Sequence, residues 1–143
     1  LGVGQVLPVQ GAVFISVRDR DKSRILDVGR RMAELGFRII ATRGTAEYLR
    51  GAGLQVEVVN KVLEGRPNIV DSIKSGHVQI VFNTTEGARA IADSYSLRQS
   101  ALMAGIPYST TLAGAVATVQ AIAALKAGKL DVAPLQSYFR TSF

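Results

Sequence analysis

The 143 residues are 48% hydrophobic and 20% charged, with no cysteine, one histidine and a formal charge of +6. Such a composition belongs to one globular domain and not to a disordered, fibrous or membrane chain; it also excludes a disulfide framework and a thiolate metal site, and His77 alone cannot hold zinc. Lys and Arg number 17 against 11 for Asp and Glu, a balance that suits an anionic partner such as phosphate or nucleic acid.

Gly11 to Val17 is a short, continuously apolar run closed by the charged Arg18-Asp19-Arg20-Asp21, the pattern of a buried parallel strand. Ile25, Val28, Met32 and Leu35 then recur at helical spacing and Gly36 follows as a C-terminal cap, which predicts an amphipathic helix over 21–35. Phe37 to Ala41 reads as a second strand. Thr42 to Thr45 reads as a turn, with Thr45 capping a helix that ends at Gly51 and Gly53. Val56, Val58 and Val59 predict an edge strand, and Asn60 to Asn68 a polar loop leading into a short helix over 69–75. Val78 to Phe82 is a fourth strand. A long helical pattern runs through Ile91, Leu97 and Met103 to Gly105; Pro107 and Tyr108 mark a fifth strand, and an alanine-rich helix follows Thr110-Thr111 to about Gly128.

Five strand signals, each followed by a helix, predict a single Rossmann-like α/β domain of three layers: a five-stranded parallel sheet with helices on both faces. The domain is expected to span 11–130, with 1–10 as linker and 131–143 as tail. No apolar run approaches the ~20 residues of a membrane span, and Leu1 to Leu7 lacks the basic segment of a signal peptide, so a cytoplasmic setting is expected. The chain starts at Leu1 without Met, which suggests a piece of a longer protein.

In open parallel sheets, ligands bind outside the carboxyl ends of the strands, where the strand order reverses. The polar groups expected there are Ser16, Lys22, Thr42, Thr45, Lys61, Asn83, Thr84 and Thr85. The carboxylates near this edge, Asp19, Asp21, Glu64 and Asp93, are interleaved with Arg18, Arg20 and Arg66. Hydroxyls, amides and two ammonium groups suit an oxyanion better than acid–base chemistry, and no catalytic residue is assigned. Taken singly, each has a plainer reading. Thr45, Thr110 and Thr111 fit helix caps, Lys22 and Lys61 solvated lysines, Gly44 a turn, and His77, Arg30 and Arg31 the surface. The convergence at one edge carries the functional reading.

Several stretches also resemble a known family. Ser16-Val17-Arg18-Asp19-Arg20-Asp21-Lys22, Ala41-Thr42-Arg43-Gly44-Thr45-Ala46, Val59-Asn60-Lys61-Val62-Leu63-Glu64-Gly65-Arg66-Pro67-Asn68 and Asn83-Thr84-Thr85 look like the C-terminal allosteric domain of the large subunit of glutamine-dependent carbamoyl phosphate synthetase. The Asn60-to-Pro67 stretch is the specific part, while Ser16-Val17 with Lys22 downstream and Thr42-Arg43-Gly44-Thr45-Ala46 are shared across the methylglyoxal-synthase-like fold. The resemblance implies a domain without catalysis or cofactor of its own, within a cytoplasmic ATP- and Mg- or Mn-dependent ligase of pyrimidine and arginine biosynthesis. It would bind uridylate as inhibitor and inosinate as activator and report to the synthetase domains of the same subunit and, through them, to the glutaminase small subunit. Ser16, Lys22, Thr42, Thr45 and Lys61 would hold the effector phosphate, Asn83, Thr84, Thr85 and Asp93 would lie near ribose and base, and Thr110 would touch ornithine.

Two rivals remain. A stand-alone methylglyoxal synthase-type lyase acting on dihydroxyacetone phosphate would need a carboxylate base in the loop after the third strand, where Arg66 stands and only Glu64 could substitute. A nucleic-acid-binding module fits the charge, but aromatics are only 6% and the basic residues form no single stripe. Neither nucleic acid nor membrane is therefore expected as a partner.

Overall fold

The computed structural model describes residues 7–84 and 88–128. Five parallel strands form one sheet in the order β3-β2-β1-β4-β5: β1 (Ala12–Ser16), β2 (Arg38–Ala41), β3 (Glu57–Val58), β4 (Ile80–Asn83) and β5 (Tyr108–Ser109). The helices are α1 (Lys22–Glu34), α2 (Arg43–Gly51), α3 (Ile69–Lys74), α4 (Ala88–Ala104) and α5 (Leu112–Lys126). The predicted three-layer architecture is the one observed.

The period-2 alternation of β1 divides the core. Val13 and Ile15 face one side with Ile25, Val28 and Met32 of α1, Ala46 and Leu49 of α2, and Ala115, Val119 and Ile122 of α5. Ala12 and Phe14 face the other with Ile69 and Ile73 of α3 and Leu97 and Ala101 of α4. Both faces of the central strand are dry, which is why its sequence is continuously apolar. β3, at the edge, is short and exposed.

The end of α1 follows from Gly36, whose φ of +95° is left-handed. Its N–H donates to the Ala33 carbonyl and that of Phe37 to the Met32 carbonyl, each at 3.0 Å, the paired bonds of a Schellman cap, while Met32 and Phe37 both enter the core. Chain direction is reset within a few residues, and β2 starts at Arg38.

Strand ends differ from expectation by one or two residues, β4 most, running Ile80–Asn83 where 78–82 was expected, and two helix starts differ in ways that bear on the site. A 3₁₀ turn, Asp19–Asp21, precedes α1, so the first helix starts at Lys22. The second starts at Arg43, with Thr42 in the N-cap position and Thr45 inside the helix and buried, so Thr45 is not its cap and Gly44 belongs to the first helical turn. The local sequence hid this because Thr42 makes no capping bond; its hydroxyl donates instead to Ser16 Oγ at 3.2 Å.

Strand order reverses between β1 and β4. The register sets Ser16 beside Asn83 at their carboxyl ends, and Ile15 beside Ala41, one residue before Thr42. The topological switch point is therefore rimmed by residues the sequence singled out.

Candidate functional site

A cleft of about 390 Å³ opens at this switch point and is lined by Ser16, Lys22, Thr42, Thr45, Lys61, Asn83 and Thr84, together with Asp19, Gly44 and Ser94. Thr85 and the side chain of Asp93 lie outside the described residues. Thr110 is elsewhere: it is exposed and lines a separate cavity of about 690 Å³ with Arg98, Tyr108 and Thr118. Among the described residues, no three His, Cys, Asp or Glu side chains gather as metal ligands, and no helix is long and apolar enough to cross a membrane.

The hydroxyls of the cleft are positioned by backbone. Thr45 Oγ1 accepts from Val17 N at 3.3 Å, and Thr84 Oγ1 accepts from Arg18 N at 3.1 Å. Thr84 N in turn donates to the Ser16 carbonyl at 3.0 Å, so the chain leaving β1 is pinned to α2 on one side and to the end of β4 on the other. Thr42, Thr45, Asn83 and Thr84 are all buried, and a hydroxyl fixed in this way needs little reordering when it meets a ligand. Since Thr42 does not cap α2, the first-turn N–H groups of that helix are left for an anion, which the helix dipole favours.

Charge enters from two sides. Lys22 stands in the first turn of α1 with its ammonium 2.8 Å from Asp19, and hydrogen bonding and charge attraction from Lys22 hold the Asp19 carboxyl below the usual carboxylate range. Lys61 comes from the loop after β3, where its backbone N–H donates to Glu64 Oε1 at 2.7 Å. Behind the wall lies Asp21, whose carboxylate meets Arg18 Nε at 2.8 Å. Burial pushes the Asp21 carboxyl up, but hydrogen bonds from Arg18 and Thr84 and the nearby arginine charges outweigh it, and its pKa lies below the ordinary value. Arg18 is thus committed to a structural partner.

The floor is Asn83, whose amide nitrogen donates to Ser94 Oγ at 2.9 Å and to Tyr108 Oη at 2.8 Å. Among the described residues nothing donates to its side-chain carbonyl oxygen.

Sequence reasoning did not find Ser94, Tyr108, the burial of Asp21 or the role of Asn68. The last had a signal. Asn68 precedes an apolar run with Asp71 three residues on, a capping-box pattern: Asn68 Oδ1 accepts from Val70 N, and Asp71 Oδ2 accepts from Asn68 N at 2.8 Å. Arg66 pairs with Asp71 at 2.6 Å, which lowers the Asp71 pKa, and neither Arg66 nor Glu64 lines the cleft.

A sequence profile described as "MGS-like domain" matches residues 24–110, which carry β2, β3, β4 and most of the cleft. The chain belongs to the MGS-like domain family. Among similar proteins, the carbamoyl phosphate synthase large chain of Mesorhizobium japonicum is 56% identical over 139 residues, 97% of this chain and 12% of that protein. Its counterpart from Archaeoglobus fulgidus is 45% identical over 143 residues, 99% of this chain and 13% of that protein. The domain thus spans only about an eighth of these curated relatives. Among solved structures, the methylglyoxal synthase of Elizabethkingia anophelis superposes with a TM-score of 0.63 over 80% of each chain at 18% identity, which supports the shared fold. That MGS-like fold is the α/β arrangement described above.

Proposed function

We propose that this MGS-like domain is the regulatory part of a carbamoyl phosphate synthase large chain and that its cleft binds the phosphate of a nucleoside monophosphate, uridylate or inosinate. The observation that carries the reading is the convergence of Ser16, Thr42, Thr45, Lys22 and Lys61 on one cleft at the switch point, two cations and three hydroxyls gathered at the uncapped start of α2. Such a set matches a phosphate's oxygens and charge. Asn83 and Thr84, with Thr85 and Asp93, are assigned to the ribose and base. Thr110 is assigned to ornithine at the second cavity, where the rest of that site would come from the parent chain.

The relatives' name supports a parent that makes carbamoyl phosphate and pairs its large chain with a smaller subunit; to that parent we assign ATP with Mg or Mn, synthetase domains in the same subunit and a glutaminase as the small subunit. A domain that binds and does not react fits the cleft's one lining carboxylate among the described residues, Asp19. It is bound to Lys22 and held at low pKa, a poor base for proton abstraction. The lyase alternative would need Glu64, which is turned to its own loop.

Calorimetry of the 143-residue chain with uridylate and inosinate tests the proposal. Binding is expected, and Lys22→Ala should weaken it by about 1.5–3 kcal/mol, the range for a charge-assisted hydrogen bond. No binding of either nucleotide, or conversion of dihydroxyacetone phosphate to methylglyoxal well above buffer, would overturn it.

A further inference from the structure

The run Arg18-Asp19-Arg20-Asp21-Lys22 alternates in sign, and its middle three residues form the 3₁₀ turn that enters α1. With three residues per turn, positions i and i+3 eclipse. The run therefore folds into two ion pairs, Arg18 with Asp21 and Asp19 with Lys22, each at 2.8 Å. They differ in burial. The Asp21 side chain is 11% exposed and tied to Arg18 and Thr84, whereas that of Asp19 is 95% exposed while its partner Lys22 is 21% exposed. One pair is a fixture of the fold; the other joins an anchored cation to an anion free to swing into water.

Arg18 also lines the cleft, but its Nε is bound to the buried Asp21 carboxylate, and Arg20 does not line it. Lys22 is the lining cation of this segment whose own partner stands in water, so the anion it already carries is the one a ligand can replace. We infer that Asp19 is a displaceable internal counter-anion that competes with the incoming phosphate for Lys22 and so sets the affinity of the cleft. The inference rests on the phosphate-binding reading above and adds to it the residue that opposes binding.

Replacing the carboxylate is feasible because an exposed ion pair is weak and a phosphate brings more charge and more acceptor oxygens, met at once by the hydroxyls and Lys61. Once displaced, Asp19 stays well within a Debye length of ~8 Å, so it repels the ligand it has admitted. Both effects lower affinity. An effector site gains reversibility from this, at the expense of tightness.

The test is a set of calorimetric titrations of uridylate, with inorganic phosphate as the minimal probe, into the 143-residue chain and four variants. Asp19→Asn should bind uridylate about two- to five-fold more tightly, the fold-change equivalent of an exposed ion pair. Asp19→Glu, which keeps the carboxylate, should stay within about two-fold of the parent sequence, a rescue that a merely structural role for the turn would not give. In the Lys22→Ala background the gain from Asp19→Asn should shrink to less than about 1.5-fold, because the competition needs the lysine. An unchanged affinity in Asp19→Asn, or the same gain with and without Lys22, overturns the inference while leaving phosphate binding intact. If the unaltered chain takes up neither nucleotide nor phosphate, the phosphate-binding reading fails, and the role of Asp19 falls with it.

Discussion

Asn83, on the floor of the cleft, donates across 2.8 Å to Tyr108, on the wall of the second cavity. The same nitrogen donates to Ser94 at 2.9 Å, so both amide hydrogens are used and the side chain is held between β4, α4 and β5. Arg98 stacks over the Tyr108 ring at 5.6 Å from its centroid and steadies the acceptor from the far side. A cleft residue is thus oriented by a residue of another cavity.

Tyr108→Phe removes one acceptor and leaves a buried N–H unpaired, a loss of about 1–3 kcal/mol. Urea unfolding of the variant should show that decrease, and uridylate affinity should fall by less than in Lys22→Ala, because Tyr108 acts through Asn83 and does not meet the phosphate. Unchanged stability and unchanged affinity together would show that the bond positions nothing.

The layers of the fold were legible because each depends on local periodicity. Ala12 to Ile15 is apolar without interruption since both faces of β1 are covered, and Ile25, Val28 and Met32 repeat at the spacing of one helix face. The cleft was legible at one remove: hydroxyl and ammonium residues directly after strands can hardly avoid the carboxyl edge of a parallel sheet. What was hidden depends on partners distant in sequence. Thr45 reads as the cap and Thr42 as a turn residue, yet the Thr42 hydroxyl goes to Ser16, 26 residues away, and the Thr45 hydroxyl meets the backbone of Val17, 28 away. Asp19 and Asp21 look alike in a charged run, and only the 3₁₀ turn leaves one in water and buries the other. Asn83 and Tyr108 are 25 residues apart, and nothing near either announces the pair.

Asp21 makes a prediction about acid stability. Its folded-state pKa is depressed by Arg18 and Thr84, so its contribution is fully present above the unfolded value of about 3.9 and is lost as pH falls through the folded one. Asp21→Asn should therefore be less stable than the parent sequence at neutral pH by about 1–3 kcal/mol, the cost of leaving buried partners unpaired. The gap should hold from pH 7 down to roughly 5 and narrow below about pH 4, where the unfolded carboxylate takes up its proton before the native one does. Denaturant unfolding of both proteins across this range checks it. A gap that persisted undiminished at the acid end would mean that the asparagine is disliked for its shape and not for its charge.

If the cleft binds phosphate as proposed, the loop from Asn60 to Asn68 would carry its effect to the rest of the domain. Lys61 reaches the cleft, while Asn60 Nδ2 donates to the Pro67 carbonyl at 3.0 Å and Asn68 Nδ2 to that of Gly65 at 3.1 Å. Arg66 then ties the loop to Asp71 of α3, which packs against α4. A pull on Lys61 is thus delivered to a helix pair and not absorbed in a slack loop. Allosteric coupling is typically 1–3 kcal/mol between two sites, and it can be lost either by losing the ligand or by losing the connection. In a full-length carbamoyl phosphate synthase carrying this domain, Lys61→Ala is expected to abolish the nucleotide response by abolishing binding, with carbamoyl phosphate synthesis retained. Arg66→Ala, which spares the cleft and removes the ion pair to α3 while leaving the Asn68 cap, should bind nucleotide almost as well yet change the rate of synthesis less. Steady-state assays with and without uridylate, set beside binding isotherms, separate the two. If Arg66→Ala transmits the full response, the signal leaves the domain by another path; if the parent still answers to nucleotide after residues 11–130 are deleted, the effector site is not in this domain at all.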